Sequence, residues 1–200
     1  MGITKMSKVG FKSTSYLKSD SFLVGNAAFS PTSYESIETV IVGTAQSTIT
    51  FSSISATYKH LQVRFIARST RSSAGDYMNM RFNSDSSSVY AKHDLNGDGG
   101  GGTAATAQAT QAQIELNRIS AANANASVFG AGIIDLLDYT NTSKNKTARA
   151  IVSYDDNGSG EVHFNSGLWF ATPVAINSIT FTCNNNFATY SSFALYGIKG

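Results

Sequence analysis

The sequence predicts an all-β protein: an antiparallel, jelly-roll-like β-sandwich over residues 34–200, preceded by an extended N-terminal arm over residues 1–33. Three observations point there. Apolar residues recur with a period of two in several short runs, as they do in half-buried strands. Gly, Asn, Asp and Pro clusters punctuate those runs at short intervals, and no long amphipathic helical pattern appears. Only 14% of residues are charged, against about 25% in ordinary globular chains. Ser, Thr, Asn and Gly take their place, and these favour turns and strand surfaces over helices.

The arm comes first. Phe11, Tyr16, Leu17, Phe22 and Phe29 are scattered among Ser, Lys and Gly without helical or strand period. Lys5, Lys8, Lys12 and Lys18 face only Asp20 in the same stretch, although the whole chain is near neutral at +2. Such a segment cannot build its own core. The nine residues Lys5, Lys8, Phe11, Lys12, Tyr16, Leu17, Lys18, Phe22 and Phe29 are therefore expected to anchor it on another protein, with the lysines steering weakly. The lysines are followed by no continuous apolar run, so a cleaved secretory signal is not expected. No stretch is apolar enough to span a membrane.

After Pro31 the pattern becomes strand-like. Tyr34 to Val42 is rich in β-branched residues, and Ile49 and Phe51 share a side of the next run. Leu61, Val63, Phe65 and Ala67 alternate with Gln62, Arg64, Ile66 and Arg68; Met78, Met80 and Phe82 alternate with Tyr77, Asn79 and Arg81. The expected core is Leu61, Val63, Phe65, Met78, Met80, Phe82, Ile179, Phe181, Phe193 and Leu195. Val89 to Leu95 is a shorter run. The glycine-rich stretch from Asn96 to Thr106 reads as a mobile or partner-supported loop. Ile114 to Ile119 fits a strand or one helical turn. Gly130 and Gly132, inside the apolar run from Ala126 to Leu137, suggest a bulge or a close backbone approach. Lys146 to Tyr154 and Val162 to Phe170 flank the hairpin turn Asp155 to Gly160. Ile176 to Cys183 and Ser192 to Ile198 complete about eight to ten strands.

Reactive chemistry is sparse. Asp94, Asn96, Asp98 and Gly99 match the first half of a calcium loop, but Ala105 stands where the bidentate carboxylate belongs. His60, His93 and His163 lack metal-ligand spacing. No G-x-S-x-G elbow or phosphate loop is present. Cys183, the only cysteine, reads as a small buried hydrophobe. Neither enzyme activity, a metal nor a cofactor is expected. Arg64, Arg68, Tyr77, Arg81 and Tyr90 mark a possible basic, aromatic surface-binding face; solvated or cross-strand-paired arginines are the ordinary alternative. Trp169 and the tyrosines leave a carbohydrate-binding module open as another class of function.

Several stretches carry a resemblance: TITFSSISATYKHLQVRFIAR (Thr48–Arg68), MRFNSDSSSVYAKHDL (Met80–Leu95), VFGAGIIDLLDYTNTSKNKTARA (Val128–Ala150), SGLWFATPVAINSITF (Ser166–Phe181) and the terminal YSSFALYGIKG. Together, over residues 34–200, they resemble a family of short virion proteins of tailed bacteriophages, often described as minor tail or tail-fibre proteins. The arm differs from the Gly/Ala-rich leaders of many members. The resemblance implies a structural protein of the virion, assembled in the bacterial cytoplasm, either tail-associated and involved in host attachment or decorating the capsid over the major capsid protein. It also implies a homo-oligomer, a trimer by analogy with phage fibres. Expected partners are other virion proteins and a host-surface glycan, not nucleic acid or membrane.

Overall fold

The computed structural model describes residues 33–200, together with the backbone of residues 22–24 and 27–29. In the N-terminal segment, β1 (Phe22–Val24) and β2 (Ala27–Phe29) pair antiparallel, Phe22 opposite Phe29. The anchoring expected of Lys5, Lys8, Phe11, Lys12, Tyr16, Leu17 and Lys18 lies outside the described residues, as do the side chains of Phe22 and Phe29.

Residues 34–200 are all-β. Twelve strands follow one another: β3 (Tyr34–Ile41), β4 (Gln46–Phe51), β5 (His60–Ala67), β6 (Gly75–Phe82), β7 (Tyr90–Gly97), β8 (Thr103–Gln111), β9 (Ile114–Ser120), β10 (Gly130–Leu136), β11 (Lys146–Asp155), β12 (Gly160–Trp169), β13 (Ile179–Phe187) and β14 (Ser192–Ile198). They form an eight-stranded sheet, ordered β3-β14-β5-β10-β11-β12-β7-β8, and a four-stranded sheet, ordered β4-β13-β6-β9. Every pairing within the two sheets is antiparallel.

With the hairpins β7–β8 and β11–β12 set aside, two four-stranded sheets remain, β3-β14-β5-β10 and β4-β13-β6-β9. The chain alternates between them from β3 to β6 and again from β9 to β14, with β6 and β9 neighbours in the small sheet, and β3 and β14 lie side by side. That is the jelly-roll arrangement. The two hairpins pair through β12 and β7 and widen one sheet to twice the width of the other. The edge strand β9 packs against β11, β12 and β7. Beyond it, among the described residues, the inner face of the wide sheet has no second layer.

The core follows from strand alternation. All ten residues expected inside, from Leu61 to Leu195, are buried. Phe193 gathers three rings, with centroids 5.5 Å from Phe65, 5.4 Å from Phe181 and 5.1 Å from Phe187. Gly132 lies so close to Phe65 that a Cβ there would sit 2.4 Å from the ring. Gly130 similarly meets the backbone of Ile119 and Ser120, so both glycines mark close approaches. The turn Asp155 to Gly160 joins β11 to β12, with Asn157 and Gly158 at positive φ.

One stretch departs from expectation. Of the glycine-rich segment, only the turn between Gly97 and Thr103 is irregular. Thr103–Gln111 is a strand paired with β7. The turn is held by Asp98, whose Oδ1 accepts bonds from the Gly100 and Gly102 amides, both at 2.9 Å. The segment carries no large apolar residue because β8 is exposed along nearly its whole length; its backbone pairing, not side-chain burial, makes it a strand.

Candidate functional site

The inward alternation on β7 runs Tyr90, Lys92, Asp94, Asn96, and opposite it β12 runs Trp169, Gly167, Asn165, His163. Both series begin apolar, where the small sheet covers them, and turn polar as they reach and pass β9. Tyr90 and Trp169 stack at 6.2 Å within the core. Lys92, Asp94, His163 and Asn165 are buried although polar, so each needs a partner.

A bulge in β9 supplies some of these partners. Met78 pairs with Asn117 and Asn79 with Glu115, leaving Leu116 as the extra residue. Asn117 takes φ 64°, a left-handed conformation that Asn tolerates better than most residues. Bulges re-aim side chains, and both Glu115 and Asn117 reach Lys92. The Lys92 Nζ donates to Glu115 Oε1 at 2.7 Å and Asn117 Oδ1 at 3.0 Å. Asn117 Nδ2 donates to Asn165 Oδ1 at 3.2 Å, and Asn165 Nδ2 to the Leu116 carbonyl at 3.3 Å.

A second chain of contacts runs along the opposite wall. His163 Nδ1 lies 3.2 Å from Asp94 Oδ2, and its Nε2 lies 2.8 Å from Glu161 Oε2. Arg118 Nη1 donates to Glu161 Oε1 at 3.0 Å and Nη2 to the Tyr77 hydroxyl at 3.3 Å. The Arg118 guanidinium is held above its ordinary pKa by the Tyr77 hydrogen bond and the Glu161 charge, which together outweigh burial. With a carboxylate at each ring nitrogen, His163 links two acids.

These residues line a cleft of about 470 Å³ between β9 and the overhanging strands β12, β7 and β8. Asn96, Thr106 and Gln108 also line it. Among the described residues, their side chains have no hydrogen-bond partner. The cleft therefore presents amide and hydroxyl groups toward solvent above a floor of mutually engaged charges. That equipment suits a ligand rich in hydroxyls.

The five residues Arg64, Arg68, Tyr77, Arg81 and Tyr90 do not share a face. Arg64 lies outside the wide sheet, near the rings of Tyr34 and Tyr196. Arg68 clamps the 121–128 loop by donating to four carbonyls, those of Ala122, Ala124, Asn125 and Val128. Arg81 donates to the Ala112 carbonyl. Tyr90 is buried, its hydroxyl accepting from the Phe82 amide and pushed up to about 12 by burial. Only Tyr77 reaches the cleft. Trp169 is also buried, its Nε1 donating to Asp85 Oδ2 at 2.9 Å, so it offers no exposed ring for a sugar.

The half calcium motif has a different geometry from a loop. Asp94 and Asn96 alternate along β7 toward the cleft, and Asp98 holds the turn. The three histidines stay apart: His163 is in the cleft, His93 is on the outer face, and His60 Nδ1 accepts from the Asp138 amide. Among the described residues, no group of three or more His, Cys, Asp and Glu is arranged to hold a metal. Burial pushes the Cys183 thiol up to about 11, which keeps it protonated and unreactive.

The sequence reading missed Lys92, Asp94, Glu115, Asn117 and His163 as a group. A signal was present: β12 alternates Val162 and Phe164 with His163 and Asn165, and the structure buries the polar pair while exposing the apolar one. No protein-family model matches this chain, and no curated protein or solved structure matches it.

Proposed function

We propose that this chain is a non-enzymatic surface protein of a tailed-bacteriophage virion, tail-associated, which contributes to host attachment by binding a hydroxylated host-surface ligand such as a glycan. The observation that carries the ligand-binding part of this reading is the polar cleft under the overhang; the virion part rests on the resemblance of the five stretches. Among the described residues its amides and hydroxyl at Asn96, Gln108 and Thr106 have no side-chain partner, whereas Lys92 pairs with Glu115, and Arg118, Glu161, His163 and Asp94 are linked in series. That arrangement recognises rather than reacts. Jelly rolls recur in viral capsid and lectin domains, an analogy of fold that supports the reading without assigning it. The five stretches resembling phage virion proteins agree with it.

The test is binding of the whole chain to a panel of bacterial surface polysaccharides, alongside its copy number in purified particles. Asn96→Ala with Gln108→Ala is expected to weaken glycan binding at least about tenfold, the loss of roughly 1.4 kcal/mol, with an unchanged melting transition. A few to tens of copies per particle fits a tail protein; hundreds of copies instead favours decoration of the capsid. Absence from particles refutes the virion reading, and glycan binding unaffected by the double substitution refutes the role of the cleft.

A further inference from the structure

We propose that the outer face of the eight-stranded sheet is a self-association surface, on which a second copy of this chain packs face to face about a two-fold axis running between β11 and β12. This goes beyond the glycan-binding reading and concerns the opposite side of the sheet from the cleft.

The starting point is a row of residues directly opposite one another on successive strands. Arg64, Ile133, Ile151, Phe164, Leu95 and Ala105 are aligned across β5, β10, β11, β12, β7 and β8. The four large apolar members are between 44% and 59% exposed. Ile66 and Val162, in the adjacent row, are equally bare. A contiguous apolar face of this kind marks an interaction surface rather than scattered surface hydrophobes. On β7 and β12 the exposure of Leu95, Val162 and Phe164 is the direct consequence of the inverted alternation that buries Lys92, Asp94, His163 and Asn165, whereas Ile66, Ile133 and Ile151 stand outside strands whose inner side is apolar as well.

The charge pattern selects a second copy as the occupant. The neighbouring row reads Gln62, Asp135, Arg149, Ser166, His93, Ala107 over the same six strands. An axis parallel to the strands and midway between β11 and β12 exchanges β10 with β7 and β5 with β8. Ile133 then meets Leu95 of the second copy, and Ile151 meets Phe164. Asp135 comes opposite His93, Arg149 opposite Ser166 and Arg64 opposite Ala105. In the central row apolar residues fall on apolar residues, in the adjacent row Ile66 falls on Thr103 and Val162 on Ser153, and no like charges are opposed. Two sheets related in this way are aligned, the usual arrangement in sandwiches, about 10 Å apart. Self-complementarity about one axis is what an isologous interface requires.

The size is sufficient. Six strands about 4.8 Å apart, over three rows about 7 Å apart, present roughly 500–600 Å² per copy, so the pair buries roughly 1,000–1,200 Å². A specific interface needs about 1,000 Å².

The experiment is sedimentation equilibrium on the full chain, with Ile151→Glu and Phe164→Glu as separate variants. Near-ultraviolet circular dichroism checks that each stays folded, as substitution of exposed side chains permits. The wild type is expected to dimerise, and each variant to dissociate at least about tenfold more readily. Asp135→Arg is expected to weaken the dimer, and adding His93→Glu to restore it. A wild type that stays monomeric at its highest soluble concentration overturns the proposal. So does an oligomer of any order that survives both Glu substitutions. Because these variants leave Asn96 and Gln108 untouched, their failure is separable from failure of glycan binding.

Discussion

Replacing Lys92 by Met isolates the energetic cost of building a polar cleft inside a sandwich. Met keeps most of the aliphatic stem and removes the ammonium. Two partners lose a donor: Glu115 Oε1 at 2.7 Å and Asn117 Oδ1 at 3.0 Å. They are not equivalent. The Glu115 side chain is 26% exposed and can rehydrate. Asn117 is buried, and its stranded acceptor costs about 1–3 kcal/mol. Breaking a fully buried pair costs about 3–5 kcal/mol, but the exposure of Glu115 and the relief of Lys92 desolvation lower that here. The expected loss is about 2–3 kcal/mol. It should appear as a lower urea midpoint with an unchanged m value, since the same surface is exposed on unfolding. Glu115→Gln alone should cost less, and the double variant should show coupling of at least about 0.5 kcal/mol between the two sites. A Lys92→Met protein within about 0.5 kcal/mol of wild type would refute the reasoning, because surface substitutions away from such features behave that way.

Four further outcomes follow from the packing and from the arm. Phe65→Ala should cost about 3–5 kcal/mol in chemical denaturation, because the ring is buried against Phe193 and Gly132; Gly132→Ala should cost about 1–3 kcal/mol by overpacking the same ring. Tyr90 is raised to about 12, chiefly by burial, above the ordinary value of about 10. Stability from its protonated hydroxyl is therefore complete below about pH 10 and is lost as pH rises toward 12; urea midpoints measured across that window should fall less in Tyr90→Phe than in wild type. Deleting residues 1–30 should leave the melting transition of residues 34–200 unchanged while abolishing incorporation into particles, and a lost transition would show that the segment belongs to the core.

The sandwich was legible because its core strands obey period two under a complete second layer. Leu61, Val63 and Phe65, or Met78, Met80 and Phe82, announce their inner side directly. The glycines at 130 and 132 were legible for a related reason, since a bare backbone in an apolar strand means that something lies against it. The strand β8 was not legible. TAATAQATQ has no large apolar residue because, among the described residues, neither of its faces is covered, and its pairing with β7 is a backbone property that side-chain patterning does not report. The cleft was not legible either. Its parts come from β6, β7, β8, β9 and β12, brought together by sheet order and by the bulge at Leu116, and neither follows from local spacing.

The two faces of the overhang have one cause. Alternation distinguishes inside from outside only where a second sheet defines an inside. On β12, Trp169 points under the small sheet and fixes the strand's register, so period two carries His163 and Asn165 to the same side. A one-residue slip would exchange every side chain between faces and drive Trp169 into solvent. The register that buries Trp169 thus obliges Val162 and Phe164 to face outward and requires the inner polar groups to find Asp94, Glu161, Asn117 and Leu116 as partners. A soluble single chain gains nothing from bare Val162, Phe164, Ile151, Ile133 and Leu95 on the outside. A chain that covers that face with a second copy does, because the wide sheet then has an apolar layer on its outer side while its inner side keeps the open polar cleft. The inverted pattern on β12 is, on this argument, the sequence's record of a sheet whose outer partner is another molecule.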